Sequence, residues 1–333
     1  MQQNLDLRPF NSLAVSSTAR YFTQVNSVEE LKQALQHSRQ QQLPVLLLGG
    51  GSNLVLTEDF PGLCIQISLQ GVQWCNIDDN WVKVTAQAGE NWHQFVDHCL
   101  QHGAYGLENL ALIPGTVGAA PIQNIGAYGV DINDFMLDLK ALNRDSLQMQ
   151  YFSREDCAFG YRDSIFKTAA RDRYIITEVS FKLRRMPKLM VSYGALADQL
   201  SDLADPSPQD LFDAVVRTRS AKLPDPNQLA NVGSFFKNPV VSKLHHQRLK
   251  QQYPGLVAYA DPAGMKLAAG WMIDHCGWKG YRKGDAGVHD KQALVLVNYG
   301  AASGAEVLAL ASAIQTDIKQ HFDVELEIEP RCY

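Results

Sequence analysis

The sequence lacks a long hydrophobic run, a marked excess of one charge and any closely paired cysteines. No apolar stretch approaches the roughly 20 residues that a membrane-spanning helix needs, and the first residues lack the charged-then-apolar pattern of a secretion signal. The 30 basic and 35 acidic residues give a formal net charge of -5, whereas nucleic-acid-binding proteins usually carry a basic surface. We therefore expect a cytoplasmic protein that has neither a membrane nor a nucleic acid as its partner.

The six cysteines form no CxxC motif and no other spacing that is typical of a metal site. Cys99 and Cys276 fall in apolar, helix-like segments, where cysteine behaves as a small hydrophobic residue. His245 and His246 are adjacent, so on a helix they would not face one ligand. Scattered thiols fit a reducing compartment, and we predict structural cysteines and no bound metal.

What the sequence does contain is enough chain for two or three domains, 333 residues of which 46% are hydrophobic. Apolar periodicity and capping motifs predict helices and strands in alternation. The predicted helices begin at Ser27 and Ser303 and cover residues 91–102, 208–216 and 265–276. The predicted strands cover residues 44–48, 81–86, 135–142, 174–185, 293–298 and 324–329. A polar, proline-containing segment at 201–209 indicates a boundary, so we expect an α+β half followed by a smaller α/β half.

Two glycine-rich segments are candidates for binding a cofactor. Residues 49–53, GGGSN, follow a predicted buried strand but match neither the Rossmann nor the Walker pattern. Their amides can curl into an anion-binding nest, although a plain turn after a strand is an equally good interpretation of this segment alone. Residues 113–129, IPGTVGAAPIQNIGAYG, form a second, longer loop. Such long glycine-rich loops are more often functional than simple connections, and both loops suit a large cofactor with a diphosphate and a ring system.

Residues 231–239, NVGSFFKNP, place the Ser234 hydroxyl between a glycine and two aromatic residues. Gly233 permits close backbone approach, and Phe235 and Phe236 can exclude water. Lys237 and Asn238 can bind an anionic, polar ligand. The sequence around Ser234 offers no partner base, so a hydrolase-type nucleophile is not indicated.

These three segments and residues 160–167, GYRDSIFK, occur in an order that resembles the MurB family of UDP-N-acetylenolpyruvoylglucosamine reductases. The resemblance extends from Phe10 to about Arg331. It implies an α+β protein with a PCMH-type FAD-binding domain of two lobes and a smaller α/β substrate-binding domain. The implied limits are 1–185 for the first domain (lobes of about 1–70 and 71–185), 186–204 for a substrate-covering loop and linker, 205–325 for the second domain and 326–333 for a returning C-terminal strand.

The resemblance also implies a cofactor, FAD, and a co-substrate, NADPH. In related oxidases a histidine near the first loop carries the flavin covalently; this chain has Asn53 there, so we expect non-covalent FAD. We expect a monomer. The implied FAD-binding residues are Gly49, Gly50, Gly51, Ser52, Asn53, Pro114, Gly115, Thr116, Gly118, Ala119, Gln123, Asn124, Gly126 and Ala127.

The implied reaction belongs to peptidoglycan synthesis, and so to cell wall biogenesis, cell shape and cell division. UDP-N-acetylglucosamine enolpyruvate is reduced to UDP-N-acetylmuramate, with hydride passing from NADPH by way of flavin N5. By the same resemblance Ser234 protonates the enolate carbon, and Arg162 and Glu329 stabilise the enolate. Taken alone, Arg162 is better explained by a surface ion pair to Asp163, and Glu329 by a solvent-facing strand carboxylate; only the joint match of all three residues to the family reverses these interpretations.

The implied substrate-binding residues are Tyr161, Tyr193, Lys222, Lys237, Asn238 and Gln292. Tyr193 matches the tyrosine of a substrate-covering loop in one subtype of the family. Each of these residues is also compatible with ordinary surface polarity. The family pattern usually has valine after the final glutamate, whereas Pro330 follows Glu329 here and restricts it towards an extended conformation. Two other functions remain open at this stage, a related flavin oxidase and a non-catalytic nucleotide-sugar or flavin-binding protein.

Overall fold

Residues 1–191 and 194–333 are described by a computed structural model, and they form two units that each combine separate stretches of the chain. Unit 1 consists of Met1–Leu5, Ala19–Gly50 and Pro61–Ala221. Unit 2 consists of Asp6–Thr18, Gly51–Phe60 and Lys222–Tyr333. Within the described residues, none of the helices has the length and apolar character needed to cross a membrane.

The α-helices of the described residues are α1 Val28–Gln40, α2 Trp92–Gln101, α3 Gly194–Leu200, α4 Pro208–Lys222, α5 Lys243–Gln252, α6 Ala269–His275 and α7 Gly304–Phe322. Short 3-10 helices lie at Arg8–Phe10, Glu108–Leu110, Val117–Gln123, Ile132–Asp134, Glu155–Cys157 and Ile165–Lys167. The strands are β1 Gln2–Asp6, β2 Thr18–Val25, β3 Val45–Leu48, β4 Leu54–Val55, β5 Phe60–Ile67, β6 Val72–Asn76, β7 Trp81–Gln87, β8 Gly126–Ala127, β9 Val130–Asp131, β10 Met136–Asn143, β11 Met149–Ser153, β12 Tyr174–Arg184, β13 Ala230–Ser234, β14 Val240–Val241, β15 Ala258–Asp261, β16 Gly264–Leu267, β17 Arg282–Lys283, β18 Ala286–Val288, β19 Val295–Asn298 and β20 Arg331–Cys332.

Unit 1 is built on two sheets. One has the strand order β1-β2-β5-β3, with β3 and β5 parallel. The other is antiparallel in the order β11-β10-β12-β7-β6. Strand β7 alternates buried and half-buried residues, because successive side chains of a strand point to opposite faces. Its buried face packs beneath α2. There the rings of Trp92 and Phe95 lie 5.9 Å and 5.3 Å from the ring of Phe181, a residue of the neighbouring strand β12.

Helix α4 belongs to the core of unit 1. Its residues Leu211, Phe212 and Val215 are buried in the same hydrophobic cluster as α2 and the antiparallel sheet. The sequence pattern grouped this helix with the substrate-binding domain that begins at residue 205. These contacts place α4 in the core of unit 1. The domain limits given above remain a prediction.

Unit 2 contains an antiparallel sheet in the order β13-β19-β18-β17 and a three-stranded sheet in the order β14-β16-β15. A short parallel pair joins β20 to β4. Helix α7 begins at a capping box in which Ser303 and Glu306 each satisfy a backbone amide of the other. The helix predicted to start at Ser303 is confirmed, as are those predicted after Ser27 and Asn91.

Two predicted elements of unit 2 are wrong. The helix expected over 265–276 begins only at Ala269, because the preceding residues form β16 and pair with β14 and β15. The strand expected over 324–329 is an irregular segment with one isolated bridge, between Phe236 and Ile328. Its alternation arises because Val324 and Leu326 are buried while the intervening glutamate is exposed.

Candidate functional site

Gly49 and Gly50 of the first glycine-rich loop meet the second loop in unit 1. Strand β3 ends at Leu48 and delivers Gly49 and Gly50 against the second loop. A Cβ atom built on Gly50 would lie only 3.0 Å from the Cα of Gly115, and one on Gly49 would lie 2.6 Å from Thr116 Oγ1. A side chain at Gly50 would press on the backbone of Gly115, so glycine suits this close approach of the two backbones. The two loops that the sequence assigns to one cofactor are therefore neighbours.

The backbone at this meeting point fits an anionic cofactor. Among the described residues, the amide groups of Gly50, Gly115 and Thr116 donate no hydrogen bond. Amides that converge without side chains between them form a concave site for phosphate oxygens. The residues present thus fit the diphosphate of FAD.

Replacing Gly50 with alanine is expected to release FAD. The new methyl group would press on Gly115 backbone, which cannot move away as a flexible side chain would. We expect the dissociation constant of FAD to rise about tenfold or more, equivalent to roughly 1.4 kcal/mol. Flavin content after gel filtration, together with titration of the apoprotein with FAD, measures this. Gly194→Ala is a matched control, because a Cβ there meets nothing within 4 Å; equal FAD retention in the two variants would contradict the assignment.

The second loop is held in shape by Asn124. This residue is 3% exposed and has a left-handed backbone with φ of 46°. Its side-chain amide donates to the Gly160 carbonyl at 3.1 Å and accepts from the Asn133 amide at 3.2 Å. Asn124 thereby ties the loop of residues 114–129 to the GYRDS segment.

Arg162 belongs to the GYRDS segment, and its side chain packs against this loop. Its guanidinium donates to the carbonyl oxygens of Gly126 at 2.5 Å and Asn124 at 3.5 Å. Its own carbonyl accepts from Lys167 Nζ at 3.1 Å, and its backbone φ is 53°. The neighbouring Asp163 carboxylate accepts from the Ser164 amide at 2.9 Å. A fixed planar cation therefore sits beside the predicted FAD-binding backbone.

Arg219, on α4, is a second cation in this region that the sequence analysis did not select. Its Nε donates to the Leu112 carbonyl at 3.3 Å. Burial lowers the pKa of Arg219 and nearby Arg162 lowers it further, whereas Tyr128 opposes the shift. The available signal was helical spacing, since position 219 follows buried Leu211 and Val215 at intervals of four. Two arginines thus give this part of unit 1 a positive potential.

Ser234 is the last residue of β13 in unit 2 and follows a β-bulge. Asn231 pairs with Val297 and Ser234 with Val295, so the strand carries one extra residue. Gly233 accommodates the extra residue by adopting a left-handed backbone with φ of 71°. Its amide donates to Asn231 Oδ1 at 2.9 Å. The bulge leaves the serine exposed while the next residue, Phe235, is fully buried.

The same segment pairs with the residues around Glu329. The Glu329 amide donates to the Phe235 carbonyl at 2.9 Å, and the Lys237 amide donates to the Glu327 carbonyl at 2.9 Å. This pairing brings the Glu329 backbone opposite Phe235, the residue that follows Ser234, although the two segments are far apart in sequence. It connects two of the three residues to which the resemblance gives a catalytic role.

Two predicted substrate-binding amides flank the start of α6. Asn238 Oδ1 accepts from the Ala269 amide at 2.9 Å. Gln292 Oε1 lies 3.1 Å from the position of a Cβ built on Gly270. Both side chains therefore converge on one helix end within unit 2.

The other predicted substrate-binding residues differ in their surroundings. Lys237 Nζ lies 2.5 Å from Glu327 Oε1, a partner that the sequence analysis did not identify. Lys222 ends α4 and is exposed. Tyr161, in unit 1, is 42% exposed and lies beneath the Arg162 guanidinium, 5.5 Å from its ring centre. Tyr193 lies outside the described residues.

Comparisons with known proteins match two separate parts of the chain. A model described as "FAD binding domain" matches residues 19–148, and one described as "UDP-N-acetylenolpyruvoylglucosamine reductase, C-terminal domain" matches residues 225–333. The reductase of that name from Pseudomonas fluorescens is 49% identical, over 100% of this chain and 99% of its own. That from Chromobacterium violaceum is 50% identical, over 98% and 97%. The crystal structure of MurB from Thermus caldophilus has a TM-score of 0.68 at 25% identity, covering 99% of this chain and 97% of that one.

The glycine loops and the FAD-binding match define an FAD-dependent oxidoreductase. The predicted fold class, the FAD cofactor and the NADPH co-substrate are confirmed. The chain belongs to the UDP-N-acetylenolpyruvoylglucosamine reductase family.

Proposed function

We propose that this chain reduces UDP-N-acetylglucosamine enolpyruvate to UDP-N-acetylmuramate with NADPH, a step of peptidoglycan precursor synthesis in the cytoplasm. The names of its full-length relatives support the reaction. The observation that supports the residue assignment is the backbone pairing of Glu329 with Phe235, the residue next to Ser234. When bound, FAD supplies the redox chemistry that links NADPH to the enolpyruvyl group.

The proposal gives Ser234 the role of proton donor to carbon. Reduction of the enolpyruvyl group at one carbon leaves an enolate that must be protonated at the other. A serine is a weak acid, but an enolate is a strong enough base to accept its proton. The absence of a histidine partner in the sequence motif is consistent with this role, because a donor to an enolate needs no general base, and solvent returns the proton to the Ser234 alkoxide afterwards.

Arg162 and Glu329 stabilise the enolate in this proposal. The enolate carries developing negative charge next to a carboxylate, and preorganised donors aimed at such charge lower the barrier. The Arg162 guanidinium is planar and fixed, so it can hold a carboxylate by two parallel hydrogen bonds. Glu329, whose backbone pairs with that of Phe235, is the second residue assigned to the enolate.

The UDP-sugar is assigned to the polar residues that the family resemblance implies. Lys222 is exposed and offers a point charge to a diphosphate. Asn238 and Gln292, which both border the start of α6, suit the edges of the uracil and sugar. Lys237 forms an ion pair with Glu327, which offsets its positive charge. It therefore suits a neutral polar group better than a second phosphate. Tyr161 and Tyr193 complete the proposed set.

Anaerobic kinetics test the proposed reaction. The purified flavoprotein is mixed with NADPH, and the oxidation of NADPH is followed with and without UDP-N-acetylglucosamine enolpyruvate. We expect multiple turnovers only when the enolpyruvyl substrate is present, with UDP-N-acetylmuramate formed in equal amount. Turnover that requires oxygen and proceeds without NADPH would instead identify a flavin oxidase. Binding of the UDP-sugar with no oxidation of NADPH would identify a non-catalytic binding protein.

A further inference from the structure

Three side chains with metal-ligating atoms meet in unit 2 where the end of α6 approaches the last turns of α7. The Cys276 sulfur, an Asp317 carboxylate oxygen and a His321 ring nitrogen all lie within 4.8 Å of one another. Asp317 Oδ1 and His321 Nδ1 are 3.0 Å apart. Cys276 is partly exposed, and half of the His321 side chain is exposed, so solvent reaches the cluster.

We propose that Cys276, Asp317 and His321 bind one zinc ion, or a cation of similar chemistry, with water as the fourth ligand. Zinc binds cysteine sulfur at about 2.3 Å, histidine nitrogen at about 2.0–2.1 Å and carboxylate oxygen at about 2.0–2.2 Å. Tetrahedral geometry then requires ligand atoms roughly 3.3–3.6 Å apart. The observed separations, 3.0 Å between Asp317 Oδ1 and His321 Nδ1 and at most 4.8 Å within the set, lie on either side of this range, so metal binding requires side-chain adjustment.

The donor set selects the type of metal. Calcium and magnesium take oxygen ligands, whereas thiolate and imidazole suit zinc and other borderline or soft divalent ions. Asp317 and His321 are separated by one helical turn on α7 and therefore share a face. Cys276 follows α6 as its C-terminal cap. Two helices thus contribute ligands from rigid positions.

The surroundings of Asp317 also fit a metal ligand. Its Oδ2 accepts a hydrogen bond from Trp278 Nε1 at 2.7 Å, which orients the carboxylate and leaves Oδ1 directed to the cluster. Carboxylates that bind metals usually have such an outer partner. Burial, with a contribution from Asp317, raises the pKa of the Cys276 thiol to about 11. Without a metal, the same atoms form a hydrogen-bonded cluster around Asp317.

Zinc stoichiometry of the flavin-loaded protein tests the proposal. The protein is dialysed against buffered zinc, and zinc per chain is determined by mass spectrometry, with affinity measured by competition with a chromophoric chelator. We expect one zinc per chain, and at least tenfold weaker binding in Cys276→Ser and in His321→Ala. Trp278→Phe, which removes only the outer donor, is expected to weaken binding by about 10–100-fold.

Matched controls are Cys75→Ser and His246→Ala, which remove a cysteine and a histidine outside the cluster and are expected to bind zinc as the parent does. Cobalt provides a second measurement, because tetrahedral cobalt–thiolate absorbs at wavelengths longer than oxidised flavin, and Cys276→Ser should abolish this absorption. The proposal is overturned if the parent retains no zinc near stoichiometry. It is equally overturned if Cys276→Ser and His321→Ala, with flavin content intact, bind zinc as tightly as the controls.

Discussion

Replacing Ser234 by alanine is expected to slow turnover of the enolpyruvyl substrate by about 10²–10⁴-fold, the usual contribution of a positioned proton donor. The reason is local, because the β-bulge at Gly233 exposes this hydroxyl while the aromatic residues that follow are buried. The pairing of Ser234 with Val295 in the sheet is made by backbone atoms, so loss of the hydroxyl leaves it intact. We therefore expect flavin content, and loss of flavin absorbance on adding NADPH, to remain at parental levels.

Two further substitutions make this test specific. Ser234→Cys restores an acidic hydrogen at the same position, with a pKa near 8.5 in the free side chain, and is expected to retain more activity than alanine. Ser312→Ala, on the exposed face of α7, is a matched control with no expected effect. If Ser234→Ala turned over the enolpyruvyl substrate within about twofold of the parent, Ser234 would not be the proton donor.

The parts of the fold that could be predicted from the sequence are those that local chemistry determines. Helix α7 begins where Ser303 and Glu306 form a capping box, and β7 follows its alternation of apolar residues. The prediction of a helix over the whole of residues 265–276 was wrong because a short apolar run is compatible with both helix and strand. Its pairing with β14 and β15, which no local pattern encodes, decided the outcome.

The candidate site likewise has parts that local sequence predicts and parts that depend on distant contacts. The glycine loops were recognisable because a backbone approach such as that of Gly50 to Gly115 tolerates no side chain. That these loops touch each other, and that Glu329 pairs beside Ser234, depends on contacts between distant parts of the chain. Charged residues also acquire their partners through such contacts. The approach of Arg219 to Tyr128 and that of Glu327 to Lys237 could therefore not be predicted from the spacing of these residues in the sequence.

The cluster of Cys276, Asp317 and His321 illustrates the limit of spacing rules for metals. A search for closely spaced ligands considers residues within one short segment, whereas here α6 and α7 each supply part of the set. The sequence-based prediction of no metal rested on that search. It did not consider ligands that packing of two helices brings together.

Replacing Arg162 by methionine is expected to lower kcat by about 10²–10³-fold, equivalent to roughly 3–4 kcal/mol of transition-state stabilisation. The guanidinium is the proposed partner of the developing enolate charge, and methionine retains much of its volume without the charge. Both residues carry a Cβ atom, so the positive φ of 53° at this position strains the two proteins alike. Arg162→Lys keeps the charge but loses the two-pronged geometry, and an intermediate rate is expected.

The measurement must separate this charge effect from loss of the loop that Arg162 helps to hold through the Gly126 carbonyl. Flavin content and the rate of flavin reduction by NADPH report on the loop, whereas turnover of the enolpyruvyl substrate reports on the enolate. Arg171→Met is the matched control, because that exposed side chain forms a surface ion pair with Asp172, 3.8 Å away. A fall in turnover with flavin binding and flavin reduction preserved supports the proposed role. A proportional loss of FAD and turnover would show that Arg162 acts by anchoring the glycine loop, and an unchanged rate would exclude it from the reaction.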